Sequence, residues 1–434
     1  MKKILVILFI TISSLYCDAQ EGIPISKQEV IAKVAENNNK LKIFEQDVLA
    51  AKGDFNQTNS VFLPNITASY TGMATTNPLI AFGSKLNQGI LTQNDFDPNL
   101  LNNPSQTQNF ATIIEIQQPL LNLDGIYQRK AARSKFSASE FQLERSKEYL
   151  NIEAEKAYMQ LQLAYKTITV LETAKKAISE NLRLAENSFK QGYLQKADVL
   201  AVEVRATEVE NQLQYARSNV ENASNYLSVL MNDTSYKVYL PLDSLRIYSE
   251  EISVENLSEN RADLLAMQAA TDAYEQMYKA DKMTFLPRLN AFGSYELYDN
   301  KIFQADASGY LLGASLSWNV LEGTKRFGKT QKSKAEFKKS EFEYDQYKAE
   351  SQMELNRAKR MLLDAKNNLK LTDLALQQSK EALRIRTNRF KEGLEKTSDL
   401  LIAETQFSQK QLEYYNTIYQ YNYAWVYVDF LTKK

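Results

Sequence analysis

Histidine is absent from the 434 residues, and the one cysteine is Cys17. That removes the imidazole bases, thiolate nucleophiles and His/Cys zinc sites on which most enzyme centres rest. Carboxylates are plentiful, but they alternate with Lys and Arg at helical spacing, the pattern of a solvated face. The exceptions stand beside glycines. Phe189-Lys190-Gln191-Gly192 is followed by Asp198, and Phe390-Lys391-Glu392-Gly393 by Asp399. A glycine where a helix ends favours a left-handed C-cap. An aspartate six residues later falls at the start of the next helix, where it can satisfy bare N–H groups and the helix dipole. The chemistry on offer is the placement of charge at a chain reversal, with no bond-making step, no cofactor and no metal.

The elements that carry these turns are two versions of one unit. The match from Phe189 to Glu203 recurs without gaps from Phe390 to Glu404, an offset of 201 residues. Phe62-Leu63-Pro64 recurs as Phe285-Leu286-Pro287. Pro119-Leu120-Leu121 with Gly125 and Arg129 recurs as Asn319-Val320-Leu321 with Gly323 and Arg326. Three echoes in the same order divide the chain near Pro241, into a first repeat over 20–240 and a second over 241–434. Only 13 glycines and 8 prolines interrupt it, which favours long helices.

In the first repeat, Ser26-Lys27-Gln28-Glu29 has the form of a capping box and opens a helical stretch to about Thr58. Long helices are expected over about 124–189 and 324–390, each roughly 100 Å long at about 1.5 Å per residue. Leu150, Ala154, Ala157, Leu161, Ala164, Ile168 and Leu171 follow a 4-3 spacing. Leu355, Ala358, Leu362, Ala365, Leu369, Thr372 and Leu376 do the same. Alternating Leu and Ala permits either a sheath of close-packed helices or a long two-stranded coiled coil.

Extended segments are expected over about 63–74, 110–119, 288–298 and 310–321. Ile66, Ala68 and Tyr70 alternate with Asn65, Thr67, Ser69 and Thr71, whereas Leu312, Ala314 and Leu316 alternate with Gly313, Ser315 and Ser317. Phe292 breaks the polar set of its segment. About ten residues is the length of a tilted strand crossing an outer membrane. The other reading is a pair of half-buried hairpins in a soluble domain. Four strands are too few to close a wide barrel, and an open edge cannot face lipid, so membrane crossing requires several chains.

At the N-terminus, two lysines, an apolar run over 4–12 and small residues to Ala19 have the layout of a secretory signal over 1–19. Cys17-Asp18-Ala19 predicts a mature start at Gln20. Cys17 also admits lipidation, although Tyr16 stands where such a site wants a small residue. With 52 basic and 53 acidic residues, no charge excess points to nucleic acid.

The helix ending in Phe62-Leu63-Pro64, the strand ending in Pro119-Leu120-Leu121, both Phe-Lys-x-Gly-x5-Asp turns and Arg261-Ala262-Asp263-Leu264 together resemble the outer-membrane efflux protein (TolC) family. The resemblance covers essentially the whole mature chain. It implies a mostly α fold with a membrane β-barrel portion: a trimeric α-helical tunnel continuing a 12-stranded barrel, four strands per protomer. It implies a passive outer-membrane exit duct of a tripartite efflux or secretion system, a homotrimer set in outer-membrane lipid. A periplasmic adaptor and an inner-membrane transporter are the implied partners. A periplasmic coiled-coil scaffold or adaptor without a pore is the alternative.

By the same resemblance Asp399 matches the first aspartate of the family's Asp-x-x-Asp ring at the periplasmic entrance. Ile402 stands at the second aspartate, Phe390 replaces a tyrosine, and Glu395 replaces an arginine of the closed-state network. Glu395 is thus a candidate to supply the missing second acidic layer. The Asn- and Pro-rich connector over 75–108 is expected outside the cell. Its aromatics either cover the channel mouth or pack on the barrel's own rim.

Overall fold

A computed structural model describes residues 22–249 and 256–433. The leader expected over 1–19, with Cys17 and the cleavage point, lies outside the described residues. In chain order the elements are β1 (Ile23–Ile25), α1 (Lys27–Asn37), α2 (Asn39–Gln57), β2 (Asn65–Thr75), α3 (Pro78–Asn87), α4 (Pro98–Asn102), β3 (Thr107–Leu121) and α5 (Leu123–Lys190). They continue as α6 (Lys196–Met231), β4 (Tyr239–Pro241), α7 (Ala262–Met283), β5 (Arg288–Asp299), β6 (Ala307–Ser317), α8 (Lys325–Lys391) and α9 (Thr397–Thr432).

The chain forms two compact units that do not coincide with the sequence halves. One comprises Ile43–Arg145 and Glu259–Ser351; the other comprises the remaining described residues, and each draws on both halves. The helix expected from Ser26 to Thr58 is interrupted at Asn38. Its backbone is extended there, and its side chain donates to Leu230 O (2.7 Å) while accepting from the Lys40 N–H (2.8 Å). A buried amide with two hydrogen-bond partners outweighs one more turn of helix.

The helical unit buries the 4-3 seams. Leu150, Ala154, Ala157, Leu161 and Leu171 are buried on α5, and Leu355, Ala358, Leu369 and Thr372 on α8. Leu355 and Ala358 pack with Val428 and Leu431 of α9, while Ile178 and Ala185 of α5 pack with Val199 and Val202 of α6. A second apolar stripe on α8, Met353, Leu363, Leu371, Leu374 and Ile385, lies exposed on this single chain. Among the described residues no helix is long and apolar enough to cross a membrane.

The other unit holds an antiparallel sheet of order β2-β3-β5-β6 with strands of 11, 15, 12 and 11 residues. Register aligns Thr67 with Glu115, Glu115 with Ser294 and Glu296 with Gly309, giving one polar face. Ile66, Tyr70, Ile114, Ile116, Tyr295, Tyr310, Leu312 and Leu316 stand exposed on the opposite face. Such alternation is the signature of strands with lipid on one side and an aqueous lumen on the other. Glycines seat neighbouring bulk. Phe292, the residue that breaks the polar set, lies over Gly313, where an added Cβ would come within 2.6 Å of its ring. Both long helices start at the end of the sheet away from the two hairpin connections.

The last strand starts at Ala307 and stops at Ser317, short of the 321 expected. Beyond Ser317 no residue of β5 remains to pair, because Arg288 opposite it is the first of that strand. The chain turns away instead. Trp318 Nε1 donates to Phe285 O (2.9 Å), and the Arg326 guanidinium donates to Thr284 O (3.0 Å) and to Asn319 O. The connector over 75–108 is folded, with α3, a 3-10 turn at Gln93–Phe96 and α4.

Candidate functional site

The two helix reversals share one backbone. Gly192 has φ +79° and Gly393 φ +74°. At the first, the Gly192 N–H reaches Phe189 O (2.9 Å) and the Tyr193 N–H reaches Ser188 O (2.8 Å). At the second, the Gly393 N–H reaches Phe390 O (3.0 Å) and the Leu394 N–H reaches Arg389 O (2.9 Å). These paired bonds satisfy carbonyls that the ending helix leaves bare, and the left-handed residue costs a glycine little. At both turns the next residue is a large apolar side chain held out in solvent, Tyr193 at 79% and Leu394 at 66% exposure.

The side chains at the two turns differ. Asp198 is the third residue of α6, and its carboxylate accepts the Gln195 N–H (3.1 Å), half of a capping box. Around it the packing is apolar, with Leu182 and Leu194 against the cluster that holds Ala185 and Val199. Asp399 occupies the same place in α9, three residues after Lys396 at the N-cap. The Asp399 carboxylate faces Arg386 (3.9 Å) and is partly exposed.

Glu395 is gripped more firmly. Its two oxygens accept from Arg386 Nη1 and Arg389 Nε, both at 2.9 Å, and Arg389 also donates to Leu394 O (3.1 Å). The Arg389 hydrogen bond, with the two guanidinium charges, holds the Glu395 carboxyl below the usual range. Both oxygens therefore have cationic partners within the same chain. Phe390 is half-buried on the last turn of α8, and Ile402 is exposed. Ile402 lines a cavity of about 280 Å³ with Ala201, Val204 and Leu401. Beside it the Arg205–Glu404 ion pair (3.1 Å), with Glu404 almost fully buried, ties α6 to α9.

Arg386 and Arg389 are the residues that sequence reasoning missed. The signal was present: they stand three apart on one helix face, and their counterparts 201 residues earlier are Ala185 and Ser188, with Leu194 opposite Glu395. The ionic cluster therefore belongs to the second repeat alone. Among the described residues, no group of three or more His, Cys, Asp or Glu side chains could hold a metal ion.

The Arg261-Ala262-Asp263-Leu264 motif is held in a buried ionic network. Arg261, 2% exposed, precedes α7 and forks onto Asp263 (2.6 and 2.7 Å) while reaching Ser351 Oγ (2.8 Å). Tyr347 donates to the same carboxylate (2.6 Å), and Arg145 lies 3.7 Å from it. Burial, the largest single influence, would raise the Asp263 pKa; the bonds from Arg261 and Tyr347 and the charge of Arg145 outweigh it and hold the carboxyl low.

Comparison with known proteins adds the following. The family model described as outer membrane efflux protein matches residues 30–233 and 254–432. A membrane protein from Pseudomonas aeruginosa superposes with TM-score 0.82 at 16% identity, over 94% of this chain and 93% of that one. The Campylobacter jejuni CmeC outer membrane channel gives 0.80 at 17% identity, over 94% and 85%. The open-state Neisseria gonorrhoeae MtrE outer membrane channel gives 0.77 at 16%, over 94% and 88%. No curated protein matches the sequence.

Proposed function

The chain belongs to the outer membrane efflux protein family, and from that premise we propose how its geometry serves as an exit duct. It is an outer-membrane channel subunit of a Gram-negative tripartite system, reaching into the periplasm. Family membership removes the reading as a pore-free scaffold.

The proposal is a homotrimer. The observation that carries it is the four-stranded sheet with one apolar exposed face and two open edges, β2 and β6. Such edges cannot face lipid, and joining β6 of one copy to β2 of the next removes them all at once. The exposed apolar stripe on α8, at close to coiled-coil spacing, gives neighbouring copies a second surface to bury.

Within this reading the duct is passive. Tyr193 and Leu394 at the turn apices are the apolar contacts offered to a periplasmic adaptor, which links the duct to an inner-membrane transporter. Arg386, Arg389 and Glu395 hold the α8–α9 turn in one shape, leaving Asp399 as the acidic group placed toward the entrance. Detergent extraction followed by native mass measurement tests the assembly. A trimer is expected, and a stable detergent-solubilised monomer would overturn it.

A further inference from the structure

The connector between β2 and β3 does not stand outside the sheet. Its helix α3 turns Ala81 (1% exposed), Ser84 (4%) and Gln88 (4%) inward, and the β3 residues buried at that end are Thr107, Asn109 and Ala111. All three belong to the polar face, the one carrying Glu115, Ser294 and Glu296. α3 also touches β6, so it lies across the sheet, with β5 between its two contacts. Gln88 acts as the bracket. Its Nε2 donates to Gln108 O (2.8 Å), Asn109 Oδ1 (2.8 Å) and Asp299 O (3.1 Å). The rest of the connector is braced by the Lys85–Asp95 ion pair (2.8 Å) and by Phe82 edge-on to Phe96 (5.6 Å).

At about 100° per residue, the face of α3 opposite Ala81, Ser84 and Gln88 carries Leu79 and Leu86, with Ile90 just beyond. They are 81%, 57% and 41% exposed. On a polar barrel face, apolar side chains pointing away from the wall point into water unless something covers them.

Resting on the trimer proposed above, we infer that three copies of α3 meet inside the outward mouth and form a hydrophobic constriction, each covered by the other two. The dimensions agree. Twelve strands about 4.8 Å apart and tilted about 40° enclose a ring roughly 24 Å across the backbone. Three helices each about 10 Å thick nearly fill it. Constrictions of this kind close by excluding water, and adding charge wets them. The duct therefore carries an outward barrier separate from the Asp399 turn.

The test approaches from outside the cell, so the periplasmic entrance does not enter the measurement. A Thr67→Cys reporter sits on the polar face of β2, well below α3. Its labelling by a bulky, membrane-impermeant maleimide is timed on intact cells, with Ile302→Cys in the exposed β5–β6 turn as the accessibility control. Labelling at Thr67→Cys should be slow. It should rise about ten-fold or more with Leu79→Glu plus Leu86→Glu, and also when residues 78–102 are replaced by a short Gly/Ser linker. Equal rates in all three backgrounds, with Ile302→Cys labelling normally and native mass reporting a trimer, would overturn the constriction. A monomer on the same native measurement would instead overturn the assembly on which it rests.

Discussion

Asp263→Asn gives the sharpest test of how this fold is held. Asp263 is the counter-charge of Arg261, which is 2% exposed and reaches it through two bonds of 2.6 and 2.7 Å. Removing one partner of a buried pair costs about 3–5 kcal/mol, because the remaining charge keeps its desolvation penalty. At roughly 2–4 °C per kcal/mol for a unit of this size, the midpoint should fall by roughly 6–20 °C. Far-UV circular dichroism of the detergent-solubilised protein, at fixed protein and detergent concentration, reads the change. Arg261→Met should cost less, since the carboxylate keeps Arg145 at 3.7 Å and Tyr347 at 2.6 Å. The double Arg261→Met, Asp263→Leu variant should recover part of the loss, as replacing a whole buried pair by apolar groups often does. The pH dependence follows from the lowered Asp263 pKa. A depressed folded value contributes stability above the unfolded carboxyl pKa of about 3.9, and that contribution is lost as pH falls through the folded value. Asp263→Asn should therefore flatten the acid limb of the wild-type stability curve. A midpoint within about 3 °C of wild type would show that no buried charge is being balanced there, refuting the reasoning.

Asp399→Ala should weaken block by multivalent cations in planar bilayers, whereas Glu395→Ala should raise basal conductance by releasing Arg386 and Arg389; two traces identical to the parent would remove the cluster from the conduction path. Replacing Gly192 and Gly393 together with valine should cost about 1–2 kcal/mol at each left-handed position, and efflux in cells at wild-type level would make the turns dispensable. Gly125→Ala should lose about 1–3 kcal/mol, because its Cβ would come within 2.6 Å of Val61 and 2.9 Å of Asn122. Gly328→Ala, within α8, where an added Cβ would meet nothing within 4 Å, should instead gain about 0.5–1 kcal/mol, so thermal melts of the two must move in opposite directions.

Much of the architecture was determined by the sequence alone, because helix and strand periods are local properties of the backbone. The Leu/Ala positions at 4-3 spacing became the buried seams of α5 and α8, and the residues alternating around Tyr70 and Leu312 became the apolar face of the sheet. Phe292 looked like an error in that alternation, and only the register of β5 against β6 explained it by placing the ring over Gly313. Asn38 carries a local capping bond to the Lys40 N–H, but the partner that buries its amide, Leu230 O, is 192 residues away. The grip of Arg386 and Arg389 on Glu395 depends on the path of a turn that composition does not describe. Which side of the sheet α3 covers depends on Gln88 finding Asn109 and Asp299 at once. Periodicity is written residue by residue, but a hydrogen bond between distant segments exists only after the backbone has brought them together, and that step belongs to the tertiary structure.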